Sequence, residues 1–158
     1  MNRTIFRQFW VILGLLIACM GHFAQAGEFL DPDVAFQQKS QMTEAQTVQL
    51  DWVIAPGYNL YKEKLHVVFG DSDVVTKLVL PTAIQKFDKN FNKNVEVYHD
   101  KLSITIPKEL IGQNAVLKLQ YQGCSDEGLC YSPIDKNFQL TSGKITPIAE
   151  TIAPVVAS

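Results

Sequence analysis

Two cysteines, Cys124 and Cys130, enclose five residues within the stretch "YQGCSDEGLCYSP", and their type and spacing could support redox chemistry. A disulfide between them would either staple the fold or exchange with the thiol of another protein. Asp126 and Glu127 lie inside the ring, and their negative charge would raise the pKa of a nearby thiol. Such a pair would be a slow reductant alone and would need the surface of a partner to activate it.

Spacing alone favours a staple, but the energy that a staple would contribute here is small. In the entropy model, a ring of seven residues restricts the unfolded chain by about 2.3 kcal/mol, and a bond across the whole domain by nearly twice that. As a stabiliser the pair is therefore poorly placed. Gly123 and Gly128 either leave room for another backbone to approach or serve turn geometry, and both interpretations remain open.

A metal site is a second interpretation of the cysteines. His66 and His99 would complete a set of four ligands, but the spacing matches no compact zinc pattern. The sequence contains no Gly-rich phosphate loop, no Ser/His/Asp order and no Cys-x-x-Cys motif. We therefore predict no metal site, and we expect both histidines to be strand residues with ordinary hydrogen bonds.

The first 26 residues have the three parts of a secretory signal peptide. Arg3 and Arg7 precede an apolar run over residues 9–20, which is shorter than the roughly 20 residues that cross a bilayer, and Ala24-Gln25-Ala26 is a small-x-small cleavage site. A lipoprotein box ending at Cys19, which would then be acylated, is the alternative. Cleavage after Ala26 is favoured, and it would place the cysteine pair in an oxidising compartment where such pairs close.

The chain that remains, residues 27–158, has the length of one ordinary domain. Without Arg3 and Arg7 it has 12 basic and 16 acidic residues, a net charge of −4. No basic patch favours nucleic acid, and no further apolar run reaches the length of a membrane span.

Period-two alternation predicts strands in several segments, the clearest being "TVQLDWVIA", where Val48, Leu50 and Trp52 alternate with polar residues. The other predicted strands are "KLHVVFG", "VVTKLVLP", "VEVYHD", "KLSITIP", "NAVLKLQYQG" and "KNFQL". About seven short strands, without a convincing helical period, indicate an all-β fold, an immunoglobulin-like antiparallel β-sandwich.

The predicted domain covers residues 27–142, with a loosely structured start over residues 27–46 and a linker or tail over residues 143–158. The polar pair Asp100-Lys101 predicts a tight hairpin between two strands. Cys124 ends one predicted strand and Cys130 precedes another, so the ring would close across the mouth of a hairpin.

The segments "YQGCSDEGLCYSP", "PGYNLYKEKL" and "VEVYHDKL" resemble the periplasmic N-terminal domain of the DsbD family of bacterial thiol–disulfide interchange proteins, over about residues 29–140. This resemblance implies an immunoglobulin-like sandwich with one redox-active cysteine pair and no cofactor. It also implies electron flow from cytoplasmic thioredoxin, through a membrane domain, to a thioredoxin-like donor domain. The pair would then reduce thioredoxin-like periplasmic partners such as the disulfide isomerase DsbC and the cytochrome c maturation thioredoxin CcmG.

The resemblance also assigns roles to residues. Cys130 would attack the partner disulfide, Cys124 would resolve the mixed disulfide, and Phe91 would be the cap over the pair. The family has acidic residues before this cap, whereas Lys89 and Asn90 stand there in this chain. The electrostatic tuning of the cysteines is therefore expected to differ.

Three tyrosines are predicted to line the site, with packing in the core or an interface as the alternative: Tyr58, Tyr61 and Tyr131. The segment "KFDKNFNKN" has the composition of an exposed loop, and we expect Phe87 to anchor it to the core. A non-catalytic secreted binding module with a structural disulfide is the alternative function. The family protein continues into membrane helices, so this chain is either a fragment ending in a linker or a free-standing version.

Overall fold

The computed structural model describes residues 29–89, 91–111 and 115–148; the predicted signal peptide and Cys19 lie outside these residues. A short helix, α1 (Pro32–Ala35), precedes twelve strands. The strands are β1 (Phe36–Met42), β2 (Val48–Ile54), β3 (Tyr58–Tyr61), β4 (His66–Phe69), β5 (Ser72–Asp73), β6 (Ile84–Asp88), β7 (Lys93–Tyr98), β8 (Lys101–Ile106), β9 (Val116–Tyr121), β10 (Gly123–Ser125), β11 (Ile134–Thr141) and β12 (Lys144–Ile148).

The strands form three antiparallel sheets. The first has the order β1-β2-β8, the second β10-β3-β7-β6 and the third β12-β11-β9-β4-β5. Alternating burial explains how they pack: β2 and β8 point every second side chain inward, as period-two strands do. This arrangement confirms the predicted all-β, immunoglobulin-like antiparallel sandwich.

The main core contains side chains from all three sheets. Trp52 of the first sheet, Leu60 of the second and Leu119 of the third are each at most 1% exposed. The Trp52 ring meets the Tyr121 ring edge to face, with centroids 5.6 Å apart. These buried aromatic and aliphatic side chains belong to the apolar strand faces that the alternation in the sequence predicts.

The expectation of a loosely structured start is wrong, because Phe36–Met42 forms the complete strand β1, paired with β2. Phe36 is fully buried, and the residues after it are mostly polar. Since β1 lies at the edge of its sheet, it can form with a polar composition that gives no alternating apolar signal.

Two further predictions about local structure are wrong. In "VVTKLVLP" the structure has a 3₁₀ turn over Val75–Lys77 instead of a strand, held by the Asp73 carboxylate, which accepts from the Val75 N–H at 2.9 Å. Strands β7 and β8 form no hairpin, because β7 pairs with β3 and β6 while β8 pairs with β2. At Asp100, whose φ is +61°, the chain crosses from one sheet to another.

The third sheet continues beyond residue 142, where we expected the linker to begin. Lys144–Ile148 forms β12 and pairs with β11 after a turn at Gly143, whose φ of +76° suits glycine. Within the described part of the chain, no helix has the length and apolar character needed to cross a membrane.

Candidate functional site

Cys124 and Cys130 form a disulfide whose α-carbons are 4.1 Å apart, which confirms the predicted closure across a hairpin. Two backbone hydrogen bonds frame the ring: the Ser125 N–H donates to the Leu129 carbonyl at 2.7 Å, and the Tyr131 N–H donates to the Gly123 carbonyl at 3.1 Å. Gly128 allows the turn to close because its φ is +100°. The disulfide therefore lies at the base of a tight, well-bonded turn.

The disulfide lies on a face of the four-stranded sheet separate from the main core. Cys124 is the cross-strand partner of Asn59, so alternation puts Asn59 and Tyr61 on the disulfide's face and Leu60, between them, on the other. Both cysteines pack with Tyr61, Val95 and Val97 in a small cluster distinct from the main core.

The two cysteines differ in their access to solvent. Cys124 is 3% exposed, whereas Cys130 is only partly buried at the rim of the small cluster. Of the two cysteines, Cys130 is therefore the more accessible residue.

Phe91 stands at the tip of the β6–β7 hairpin and contacts Tyr61, which in turn packs with the cysteines. Its ring meets the Tyr61 ring edge to face at 6.1 Å, and it remains 47% exposed. Asp88 fixes both aromatic residues, because its carboxylate accepts from the Phe91 N–H at 3.0 Å and from the Tyr61 hydroxyl. Burial, and then the bond to Asp88, raise the pKa of Tyr61 far above its ordinary value, so the hydroxyl stays protonated and donates.

The structure places Tyr58 and Tyr131 against Phe36 and not in the small cluster around the disulfide. Both rings meet the Phe36 ring edge to face, at 6.0 and 5.7 Å. Of the three tyrosines predicted to line the site, only Tyr61 is thus brought into the cysteine cluster. Tyr58 lies in the main core and Tyr131 packs against it, beside the ring of residues from Cys124 to Cys130.

Asp126, inside the ring, is paired with a cation that sequence reasoning did not identify. The Lys86 ammonium lies 2.5 Å from its carboxylate, and the Asn59 amide donates to the same oxygen at 2.5 Å. The bond from Lys86 lowers the pKa of Asp126 below its ordinary value of 3.8. The two acids within the ring are therefore not both uncompensated, because Lys86 offsets the charge of Asp126.

Gly123, the residue before Cys124, is closely surrounded by atoms of the domain itself. A Cβ atom at Gly123 would collide with the Phe36 ring and lie 2.7 Å from the Asn59 carbonyl oxygen. The close approach at Gly123 is therefore made by the protein's own core and not left open for another backbone.

Phe87 does not anchor the hairpin to the core, contrary to expectation. It lies on β6, the edge strand of its sheet, and is 56% exposed. Residues of this hairpin and of the cysteine ring line a cleft of about 600 Å³ between them, including Lys86, Phe87, Asp126 and Glu127.

The histidines considered as metal ligands have other partners. His66 Nδ1 lies 2.8 Å from the Asp73 carboxylate, and His99 Nδ1 lies 2.5 Å from that of Asp100. Among the residues that the structure describes, no group of three or more His, Cys, Asp or Glu side chains could hold a metal ion.

Known proteins are similar to this chain in both sequence and fold. DsbD of Ralstonia nicotianae is 34% identical over 151 residues, which cover 92% of this chain and 25% of that protein. DsbD 2 of Pseudomonas aeruginosa is 38% identical over 106 residues, covering 67% of this chain and 17% of its own length. The chain thus spans about a quarter or less of these relatives.

Two solved structures from Neisseria meningitidis have the same fold. The reduced DsbD N-terminal domain superposes with a TM-score of 0.61 at 25% identity, covering 78% of this chain and 98% of its own. A complex of the DsbD N-terminal and PilB N-terminal domains gives a TM-score of 0.60 at 27% identity, covering 78% of this chain and 97% of that one. The family described as "Thiol:disulfide interchange protein DsbD, N-terminal" matches residues 26–142. With this match, the similar relatives and the shared sandwich fold, this chain belongs to the DsbD N-terminal domain family.

Proposed function

We propose that this domain is a periplasmic protein-disulfide reductase module that relays electrons by dithiol–disulfide exchange. The observation that carries the proposal is the asymmetric disulfide: Cys124 is buried, while Cys130 is partly exposed on a face separate from the core. A buried structural staple has no need of an exposed sulfur, whereas exchange requires one sulfur that a partner can reach.

The reaction conserves atoms and electrons as follows. In the reduced domain the Cys130 thiolate attacks the partner disulfide, forming one intermolecular S–S bond and releasing one partner thiolate, which takes up a proton. Cys124 loses its proton and attacks Cys130, closing the internal disulfide and releasing the second partner thiol. Two electrons have then passed to the partner, and a dithiol donor returns the domain to its reduced form by the reverse steps.

The donor in this proposal is a thioredoxin-like domain, and the acceptors are thioredoxin-like periplasmic proteins of the DsbC and CcmG types. Support comes from the solved complex of a related DsbD N-terminal domain with a PilB N-terminal domain. In a longer protein, a membrane electron-transfer domain would supply the donor and anchor the module to the inner membrane.

Phe91 is the lid of the proposed mechanism. Through its contact with Tyr61 it covers one side of the cysteine cluster, and its exposed position allows a partner to displace it. The lid would slow reduction of the disulfide by small thiols and by proteins that cannot move the hairpin tip.

Trapping of a mixed disulfide tests the assignment of the two cysteines. A mixed disulfide accumulates only when the resolving thiol is missing, so Cys124→Ser should trap an oxidised thioredoxin-like partner through Cys130. Cys130→Ser is the matched control and should trap little. Non-reducing electrophoresis and mass spectrometry measure both, and equal trapping by the two variants would remove the assignment.

The reduction potential separates this function from a binding module with a structural disulfide. An exchanging pair should lie in the range of about −120 to −270 mV, whereas a structural disulfide should lie below about −300 mV. Titration against glutathione and dithiothreitol buffers, with alkylation of the free thiols, gives this value. A potential below the catalyst range would favour the binding module.

A further inference from the structure

Two tyrosine hydroxyls hold the backbone of Leu30 beside the cysteine ring. The Leu30 N–H donates to the Tyr58 hydroxyl at 2.9 Å, and the Tyr131 hydroxyl donates to the Leu30 carbonyl at 2.6 Å. Asp31 then caps α1 by accepting from the Asp33 N–H at 2.9 Å. Both polar backbone groups of Leu30 are thus bound by side chains, which fixes a segment that carries no strand pairing of its own.

This fixed segment presents apolar side chains to solvent. Phe29 is 42% exposed and Leu30 is 38% exposed. Together with Pro56, Tyr58 and ring residues, they line a cleft of about 320 Å³.

The ring stands between this cleft and the one beneath the Phe91 hairpin. Ser125, Asp126 and Glu127 line both clefts, while the other lining residues differ. Phe29 and Leu30 therefore flank the ring on the side away from Phe91.

A partner joined to Cys130 must cover this segment. A mixed disulfide brings the α-carbon of the partner cysteine to about 4.4–6.8 Å from that of Cys130. Tyr131 is the next residue, about 3.8 Å along the chain, and its hydroxyl is bonded to Leu30. A standard interface buries about 800 Å² on each partner, so a circular footprint centred on Cys130 has a radius of about 16 Å. Leu30, one tyrosine side chain away, falls within it.

We propose, on the basis of the function proposed above, that Phe29 and Leu30 form a docking platform for thiol–disulfide exchange proteins. The partner surface that fits is an apolar one surrounding a reactive cysteine, because burial of an exposed aromatic and an exposed aliphatic side chain favours association. Tyr58 and Tyr131 are positioning residues, which act by holding Leu30. A partner can contact the platform while Phe91 still covers Tyr61, since the two lie on opposite sides of the ring.

Two reductants of different size test the platform. The oxidised domain is mixed with reduced thioredoxin or with dithiothreitol, and the second-order rate constant for reduction of the disulfide is measured with each. Phe29→Ser combined with Leu30→Ser should slow thioredoxin by about tenfold, as loss of central interface residues does, and leave the dithiothreitol rate within about twofold. Val79→Ser is the control, because Val79 is 92% exposed and lines neither cleft. It should change neither rate.

Tyr131→Phe is a second variant, which keeps the aromatic packing and removes the hydroxyl with its bonds to the Leu30 carbonyl and to Tyr58. This variant should also lower the rate constant for reduction by thioredoxin and leave that for dithiothreitol unchanged. It replaces the double variant as the test if urea denaturation shows that the double substitution destabilises the domain. An unchanged thioredoxin rate in both variants would overturn the platform, and so would equal slowing with both reductants, which indicates a disturbed ring. If thioredoxin fails to reduce the wild-type domain while dithiothreitol succeeds, the proposed function itself is overturned.

Discussion

Replacement of Phe91 by alanine distinguishes a lid from a core residue. Loss of a fully buried phenylalanine destabilises a protein by about 3–5 kcal/mol. Phe91 is 47% exposed, so roughly 100 Å² of a phenylalanine side chain is buried, which corresponds to about 2.5 kcal/mol at 25 cal/mol per Å². This value is an upper bound, because the unfolded chain already buries part of that area. We therefore expect Phe91→Ala to lower the free energy of unfolding by about 1–2.5 kcal/mol.

The same variant should speed reduction of the disulfide. Without the Phe91 ring, Tyr61 loses its edge-to-face partner and the cluster containing both cysteines becomes more accessible. Urea denaturation measures the free energy of unfolding, and the rate of reduction by glutathione or dithiothreitol measures how accessible the disulfide is to small thiols. We expect that rate to rise several-fold.

Phe87→Ala is the matched control on the same hairpin. Phe87 is 56% exposed, so its removal should cost a similar or smaller free energy of unfolding, and it should leave the reduction rate unchanged. A loss above about 3 kcal/mol for Phe91→Ala, with an unchanged rate of reduction, would show that Phe91 is a core residue and that the lid hypothesis is wrong.

Two further predictions concern the residues around the ring. Gly123→Ala should lower the free energy of unfolding, measured by urea denaturation, by about 1–3 kcal/mol or more. The reason is that the added Cβ would collide with Phe36 and the Asn59 carbonyl oxygen. A near-neutral result would contradict this packing. Lys86→Gln should lower stability near neutral pH by less than about 1 kcal/mol, because both partners of its pair with Asp126 are substantially exposed. Since the folded-state pKa of Asp126 lies below 3.8, the stabilisation is present above that value and is lost as the pH falls through the folded-state pKa, so the two proteins should become equally stable at a pH low enough to protonate Asp126 in both. A difference that persists at that pH would exclude the ion pair as its cause.

The features of the site that are local in sequence could be predicted from it. The ring from Cys124 to Cys130 closes as a hairpin because only five residues separate the cysteines, and short spans leave few other geometries. Tyr61 is one of the three tyrosines predicted to line the site, and the alternation along β3 puts it on the face of the disulfide.

The features that depend on distant pairing could not be predicted. Lys86 meets Asp126 across 40 residues, and only the position of β6 in the sheet brings them together. Asp100-Lys101 is a sound turn signal, yet a turn does not determine whether the strands on either side pair with each other. Here each strand finds its neighbours in a different sheet.

The separation of the disulfide from the main core has a consequence for the domain as a working part. Trp52, Leu60 and Leu119 belong to the main core, whereas the cysteines belong to the small cluster on the other face of the second sheet. Opening the S–S bond therefore removes no contact from the layer that holds the three sheets together. In the proposed exchange the main core would therefore stay packed in both redox states, and reduction would cost the domain only the small stabilisation of a seven-residue ring, about 2.3 kcal/mol.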